Sequence, residues 1–215
     1  KKIPNPPINL LKLPFSEAFT TWLDDSEKDP KHRFKAVCRA RQNIAPMTLH
    51  SSPDGIYWSA YGRGRTGIVT DRASIFRDPF RQKWVYSIRE NLCRGGHGHL
   101  RVSRYIEVDS LGDSDWPQWV SLKNYFQCAR PKPSEPVYWM GVDEFDCEGF
   151  NVTECDLYHI DSTPYESIHI GQLAVLYPGF AHGGCKSSKI HIAFSRDGFH
   201  FTRADGNAVG KPRLP

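Results

Sequence analysis

Apolar residues along the chain gather in short runs: FKAVCRA (34–40), KWVYSI (83–88), LRVSRYIEV (100–108), PVYWMGV (136–142), QLAVLY (172–177) and KIHIAF (189–194). Each run is rich in aromatic and β-branched side chains and is bounded by Gly, Pro, Asp or Ser, which predicts β-strands separated by turns. Helical periodicity is scarce, and the one helix-like stretch, Ser16 to Trp22, is too short to change the reading. The predicted class is all-β.

Two segments share a Ser-x-Asp-Gly-x-x-aromatic pattern: Ser52-Pro53-Asp54-Gly55-Ile56-Tyr57-Trp58 and Ser195-Arg196-Asp197-Gly198-Phe199-His200-Phe201. Asp-Gly supplies the positive φ of a tight turn, so each segment predicts a hairpin with Asp54 or Asp197 in a structural role. A second repeat lies upstream, where a strand-like run ends in a carboxylate: Thr21-Trp22-Leu23-Asp24-Asp25, Ser74-Ile75-Phe76-Arg77-Asp78 and Ser162-Thr163-Pro164-Tyr165-Glu166. The separations from Asp25 to Trp58, Asp78 to Trp116 and Glu166 to Phe201 are similar. Three modules, about 18–60, 71–119 and 157–203, therefore share an inner strand with a terminal carboxylate, a middle strand and an outer hairpin, with 120–156 as an insertion. That layout suits the blades of a single β-propeller domain, and because three blades cannot close a ring, further blades are expected.

The 215-residue chain is large enough for one core, and its charge of +4 is spread among Asp and Glu. No basic stripe for nucleic acid and no apolar run of membrane-spanning length is present, so neither partner is expected. The six cysteines contain no C-x-x-C pair, which predicts no thiolate metal site. Cys147 and Cys155 bracket a loop holding the sequon Asn151-Val152-Thr153, an arrangement suited to a secreted, disulfide-bearing protein.

Phe76-Arg77-Asp78-Pro79 resembles the R-D-P motif of glycoside hydrolase families 32 and 68 and of the related family 43, which share a five-bladed propeller. The stretch from Trp22 to Arg203 is also similar to family 32-like bacterial proteins, in which runs such as F-x-D-P-F, Y-E-S and F-S-R-D-G-F-H-W recur. The resemblance implies an Asp on one blade as nucleophile or base, an Asp on the next as transition-state stabiliser and a Glu on the third as general acid. Residue by residue, Asp78 is the R-D-P aspartate with Arg77 beside it, and Asp25, with Asp24 adjacent, stands at the position of the first aspartate. The family's usual first-aspartate motif is absent.

Two residues compete for the acid. Glu154, in Thr153-Glu154-Cys155-Asp156-Leu157-Tyr158, is similar to a family 32 run without its proline, while Glu166 precedes Gly171-Gln172-Leu173-Ala174-Val175-Leu176-Tyr177 much as the family 43 glutamate precedes its next strand. Glu166 is preferred. Cleavage of a glycosidic bond needs one carboxylic acid to protonate the leaving oxygen and a carboxylate on the opposite face, and inner strands aim such groups at one channel.

The implied function is hydrolysis of an oligosaccharide or glycoside without cofactor or metal, and the alternative is a non-catalytic carbohydrate-binding propeller. Arg77, Trp84 and Tyr165 are candidate sugar contacts, through a guanidinium and two aromatic faces. His159, His169 and His191 lie in strand-like runs where packing or hydrogen bonding is expected, and His97 and His99 at a glycine-rich hairpin tip.

Overall fold

The computed structural model describes residues 19–39, 45–69, 72–93, 99–114, 116, 136–143, 146–147, 155–177 and 186–204. Among the described residues, twelve strands form three four-stranded antiparallel sheets, each in the order of the chain. The first contains β1 (Phe19–Leu23), β2 (Phe34–Arg39), β3 (Ala45–Ser52) and β4 (Ser59–Val69). The second contains β5 (Ala73–Asp78), β6 (Lys83–Cys93), β7 (His99–Val108) and β8 (Val137–Met140), and the third β9 (Asp156–Tyr165), β10 (Ile168–Tyr177), β11 (Ser187–Ser195) and β12 (Thr202–Arg203). Each of the six apolar runs noted above has its described part wholly or mainly on a strand. β8 lies inside the stretch expected as an insertion and completes the second sheet by pairing with β7.

The middle sheet is buried on both faces, and the two-residue period of a strand divides its side chains between the neighbours. Ile75, Trp84, Tyr86 and Ile88 meet Val37, Met47 and Leu49 of the first sheet. Phe76, Val85, Tyr105 and Trp139 meet Leu157, Ile160, Leu173 and Phe201 of the third. This alternation carries a consequence at the end of β5: Arg77 continues the row of Ile75 towards the first sheet, and Asp78 continues the row of Phe76 towards the third. The first strands of the sheets, β1, β5 and β9, lie side by side.

The two Ser-x-Asp-Gly segments join the third and fourth strands of their sheets with nearly identical geometry. Asp54 Oδ1 accepts from the backbone N–H of Ile56 (2.8 Å) and Tyr57 (2.9 Å), and Ser52 Oγ accepts from Gly55 N (2.9 Å). Asp197 Oδ1 accepts from Phe199 N (2.9 Å) and His200 N (2.8 Å), and Ser195 Oγ from Gly198 N (2.9 Å). The glycines take φ of 76° and 72°, as the turn requires.

The link between the second and third sheets is pinned twice. Cys147 and Cys155 form a disulfide, and Arg203 of β12 pairs with Asp143 (3.0 Å) and Asp146 (2.7 Å). At the two ends of the stack, apolar side chains face solvent. Phe19 and Leu23 are 42% and 41% exposed on the first sheet, and Ile190, Ile192 and Phe194 are 66%, 40% and 39% exposed along one face of β11. The three sheets do not close a ring among the described residues. Among the described residues no helix is long and apolar enough to cross a membrane.

Candidate functional site

A cavity of about 550 Å³ opens where β1, β5 and β9 end, and its lining includes Trp22, Asp24, Asp25, Arg77, Gln82, Pro164 and Glu166. All three sheets contribute. On the first, β1 stops at Leu23 and the chain turns on Asp24, whose Oδ1 accepts from Ser26 N (3.1 Å) and Ser26 Oγ (2.6 Å). This turn buries Asp24 and leaves Asp25 exposed at the rim. On the third, Glu166 forms the hairpin between β9 and β10 with φ of 49° and is also exposed.

The second sheet supplies the cation. Arg77 lies over the Trp84 ring, 5.6 Å from guanidinium carbon to ring centroid, and its Nη2 donates to Gln82 Oε1 at 3.0 Å. Gln82 Nε2 in turn donates to the Pro79 carbonyl at 2.6 Å. Trp84 itself is 3% exposed, meets Trp22 edge-on at 6.4 Å and does not line the cavity. The expected sugar platform is therefore the buried support beneath Arg77. Tyr165 is 59% exposed, beside Glu166 but outside the lining. Glu154 lies outside the described residues, as does His97.

Asp78 ends β5 as expected, yet its side chain is fully buried on the opposite face and is not part of the lining. Its Oδ1 accepts from Phe80 N (2.9 Å) and Arg81 N (3.1 Å), and its Oδ2 from Arg81 Nε (2.7 Å). Arg81 also donates to Glu107 (2.7 Å) and to the Tyr105 hydroxyl (2.6 Å). Burial opposes the charge on Asp78, and the Arg81 backbone and guanidinium bonds outweigh it, holding the carboxyl below its ordinary range. The structure thus brings together Asp25, Arg77 and Glu166 and sends Asp78 to the seam between the second and third sheets.

His169 completes that seam. It is fully buried, with Nε2 3.6 Å from Asp78 Oδ1, too long for a hydrogen bond, and the rings of Phe76 and Phe80 centred 5.6 and 5.3 Å away. Burial pushes its pKa down, against the pull of Asp78. The packing role expected for it is what the structure shows. A Ser-His-Asp grouping occurs where β5 and β9 run side by side, with His159 Nε2 3.0 Å from Ser74 Oγ and 3.1 Å from Asp161 Oδ1. Both contacts use the same nitrogen, so the imidazole cannot accept from the serine while the carboxylate orients its other side, as nucleophile activation requires.

A second hollow of about 520 Å³ lies beside the third-sheet hairpin, lined by Phe194, Arg196, Asp197 and His200 among others. Its carboxylate is Asp197, already committed to the turn. Among the described residues no group of three or more His, Cys, Asp or Glu is placed to hold a metal ion.

No protein-family model matches the chain. No curated protein matches it either. Among solved structures, an N-acetylgalactosamine deacetylase from F. plautii, in complex with blood group B trisaccharide, is similar over 92% of this chain at 15% identity and a TM-score of 0.46. The chain spans 54% of that protein's length.

Gln82 and Trp22 line the cavity without having been singled out in the sequence. Gln82 follows the R-D-P segment within the same turn, and its position at φ of 57° is a backbone property that residue type does not reveal.

Proposed function

We propose that the three sheets are consecutive blades of a five-bladed propeller of glycoside hydrolase type, and that the cavity at the ends of β1, β5 and β9 takes an oligosaccharide or glycoside. The observation that carries this reading is the convergence of Asp25 and Glu166, from the first and third sheets, on one cavity with Arg77 of the second between them in chain order. Glu166 is the general acid and Asp25 the opposing carboxylate, the pair that an oxocarbenium-like transition state requires. Asp78 belongs to the scaffold. The sequon and the Cys147–Cys155 disulfide favour an extracytoplasmic setting.

The test is hydrolysis across a panel of aryl and natural glycosides. Glu166→Gln lowers turnover of natural glycosides roughly 100-fold and spares substrates whose leaving group needs no proton. Equal loss on both substrate types, or none on either, would sink the assignment. The burial of Asp78 away from the cavity favours a second reading, a propeller that binds glycans without cleaving them. Binding with no cleavage by the wild type selects that reading.

A further inference from the structure

Left-handed backbone separates two kinds of position in this molecule. At Gly55, Gly62, Gly64 and Gly198, with φ between 55° and 76°, the chain uses glycine, which adopts that region without a Cβ penalty. Among the described residues, two that are not glycine take positive φ: Gln82 at 57° and Glu166 at 49°. Both line the same cavity. A residue that keeps its side chain where glycine would fit the backbone better retains it for something the side chain does, and such positions gather at ligand sites.

The side chain of Gln82 has a defined setting. Its amide is fixed at one end by the Pro79 carbonyl (2.6 Å) and at the other by Arg77 Nη2 (3.0 Å), while the Trp84 ring lies against the guanidinium. Arg77 Nε and Nη1 are buried with no partner, so the guanidinium is not held by a carboxylate that would neutralise it. Gln82 retains a second amide N–H and a second lone pair, and Arg77 Nη2 a second N–H. Two planar groups joined edge to edge, with donors and an acceptor still unused, match two adjacent hydroxyls on one sugar ring. One hydroxyl can donate to Gln82 Oε1 while accepting from Arg77 Nη2, and its neighbour can accept from Gln82 Nε2.

We propose that Gln82 contacts ligand in this cavity and that, with Arg77, it forms a fork that reads a vicinal pair of free hydroxyls. The ligands selected are sugars whose ring presents that diol unsubstituted. This rests on the cavity being a carbohydrate site, and the experiment separates the two claims. Retention of a panel of methyl glycosides of common hexoses and pentoses, with their monodeoxy forms, is measured by ligand-observed NMR for wild type, Gln82→Gly and Gln82→Asn.

Glycine relieves the left-handed backbone and asparagine tolerates it, so each variant tests the side chain's function apart from its cost to the turn. Wild type binds at least one parent sugar, loses roughly tenfold on removal of either of two neighbouring hydroxyls, and both variants bind that parent roughly tenfold less tightly with little further loss for the deoxy forms. A wild type indifferent to every single hydroxyl, or variants that bind and discriminate as wild type does, overturns the fork and leaves the site standing. A wild type that binds no sugar in the panel overturns the site and the fork with it. The deoxy comparison decides the matter whatever the melting temperatures of the variants.

Discussion

Replacing Asp78 by Asn separates a catalytic aspartate from a structural one. The carboxylate is 1% exposed and accepts two backbone N–H groups and the Arg81 Nε. Asparagine keeps one oxygen for the backbone donors and loses the charge that faces Arg81. Removing one partner of a buried pair costs ~3–5 kcal/mol, but Arg81 is 38% exposed and retains Glu107 and Tyr105. Discounted for that exposure, the loss is about 1–2 kcal/mol. For a chain of this size that lowers the melting temperature by roughly 2–8 °C.

The pH dependence follows from the sign of the shift. The folded carboxyl titrates below its unfolded counterpart, so the stability it contributes is present above about pH 4 and disappears as pH falls through the folded pKa. The gap between wild type and Asp78→Asn, followed by circular dichroism melts, stays constant near neutrality and closes in acid. An unchanged melting temperature together with lost sugar binding or turnover would refute the scaffold assignment and restore Asp78 to the chemistry.

Three further outcomes are expected. Asp197→Ala leaves Phe199 N and His200 N without their acceptor and lowers stability by about 1 kcal/mol, with glycan binding unchanged; lost binding at an unchanged melting temperature would contradict it. His169 titrates by NMR below its ordinary midpoint of about 6.5, and because the unfolded chain takes up that proton first, its contribution to stability falls as pH drops below that value; a raised midpoint would mean that Asp78 outweighs burial. Ile190→Ser with Ile192→Ser on the open face of β11 changes the melting temperature little, because both side chains already face solvent; a large drop would show that the face is packed.

The strands were legible because runs such as KWVYSI and QLAVLY combine β-branched and aromatic residues between turn formers, and local chemistry decides such elements. The hairpins at Asp54 and Asp197 were legible for the same reason, since every bond that shapes them lies within a few residues. The carboxylates were found at or just beyond the ends of the first strands by counting modules, but counting does not tell which face a side chain takes. Arg77 and Asp78 are neighbours, and the packing of Ile75 on the first sheet and Phe76 on the third determines that one meets the cavity and the other a buried arginine. Trp84 shows the same limit: an aromatic near a candidate site reads as a sugar platform until its partners across the sheets are known. β8 escaped notice as part of its sheet because Pro-rich sequence precedes it and its pairing with β7 is long-range.

The central claim is that a sugar ring binds between Asp25 and Glu166. Its most direct test is a titration of isotope-labelled protein with an oligosaccharide panel, followed through backbone amide and tryptophan indole resonances. The account predicts shifts concentrated at Trp22, Asp25, Arg77, Gln82 and Glu166, saturating with a common dissociation constant. Shifts confined to Phe194 and the Ser195–Thr202 hairpin, with Asp25 and Glu166 unmoved, would contradict it and place the ligand in the second hollow.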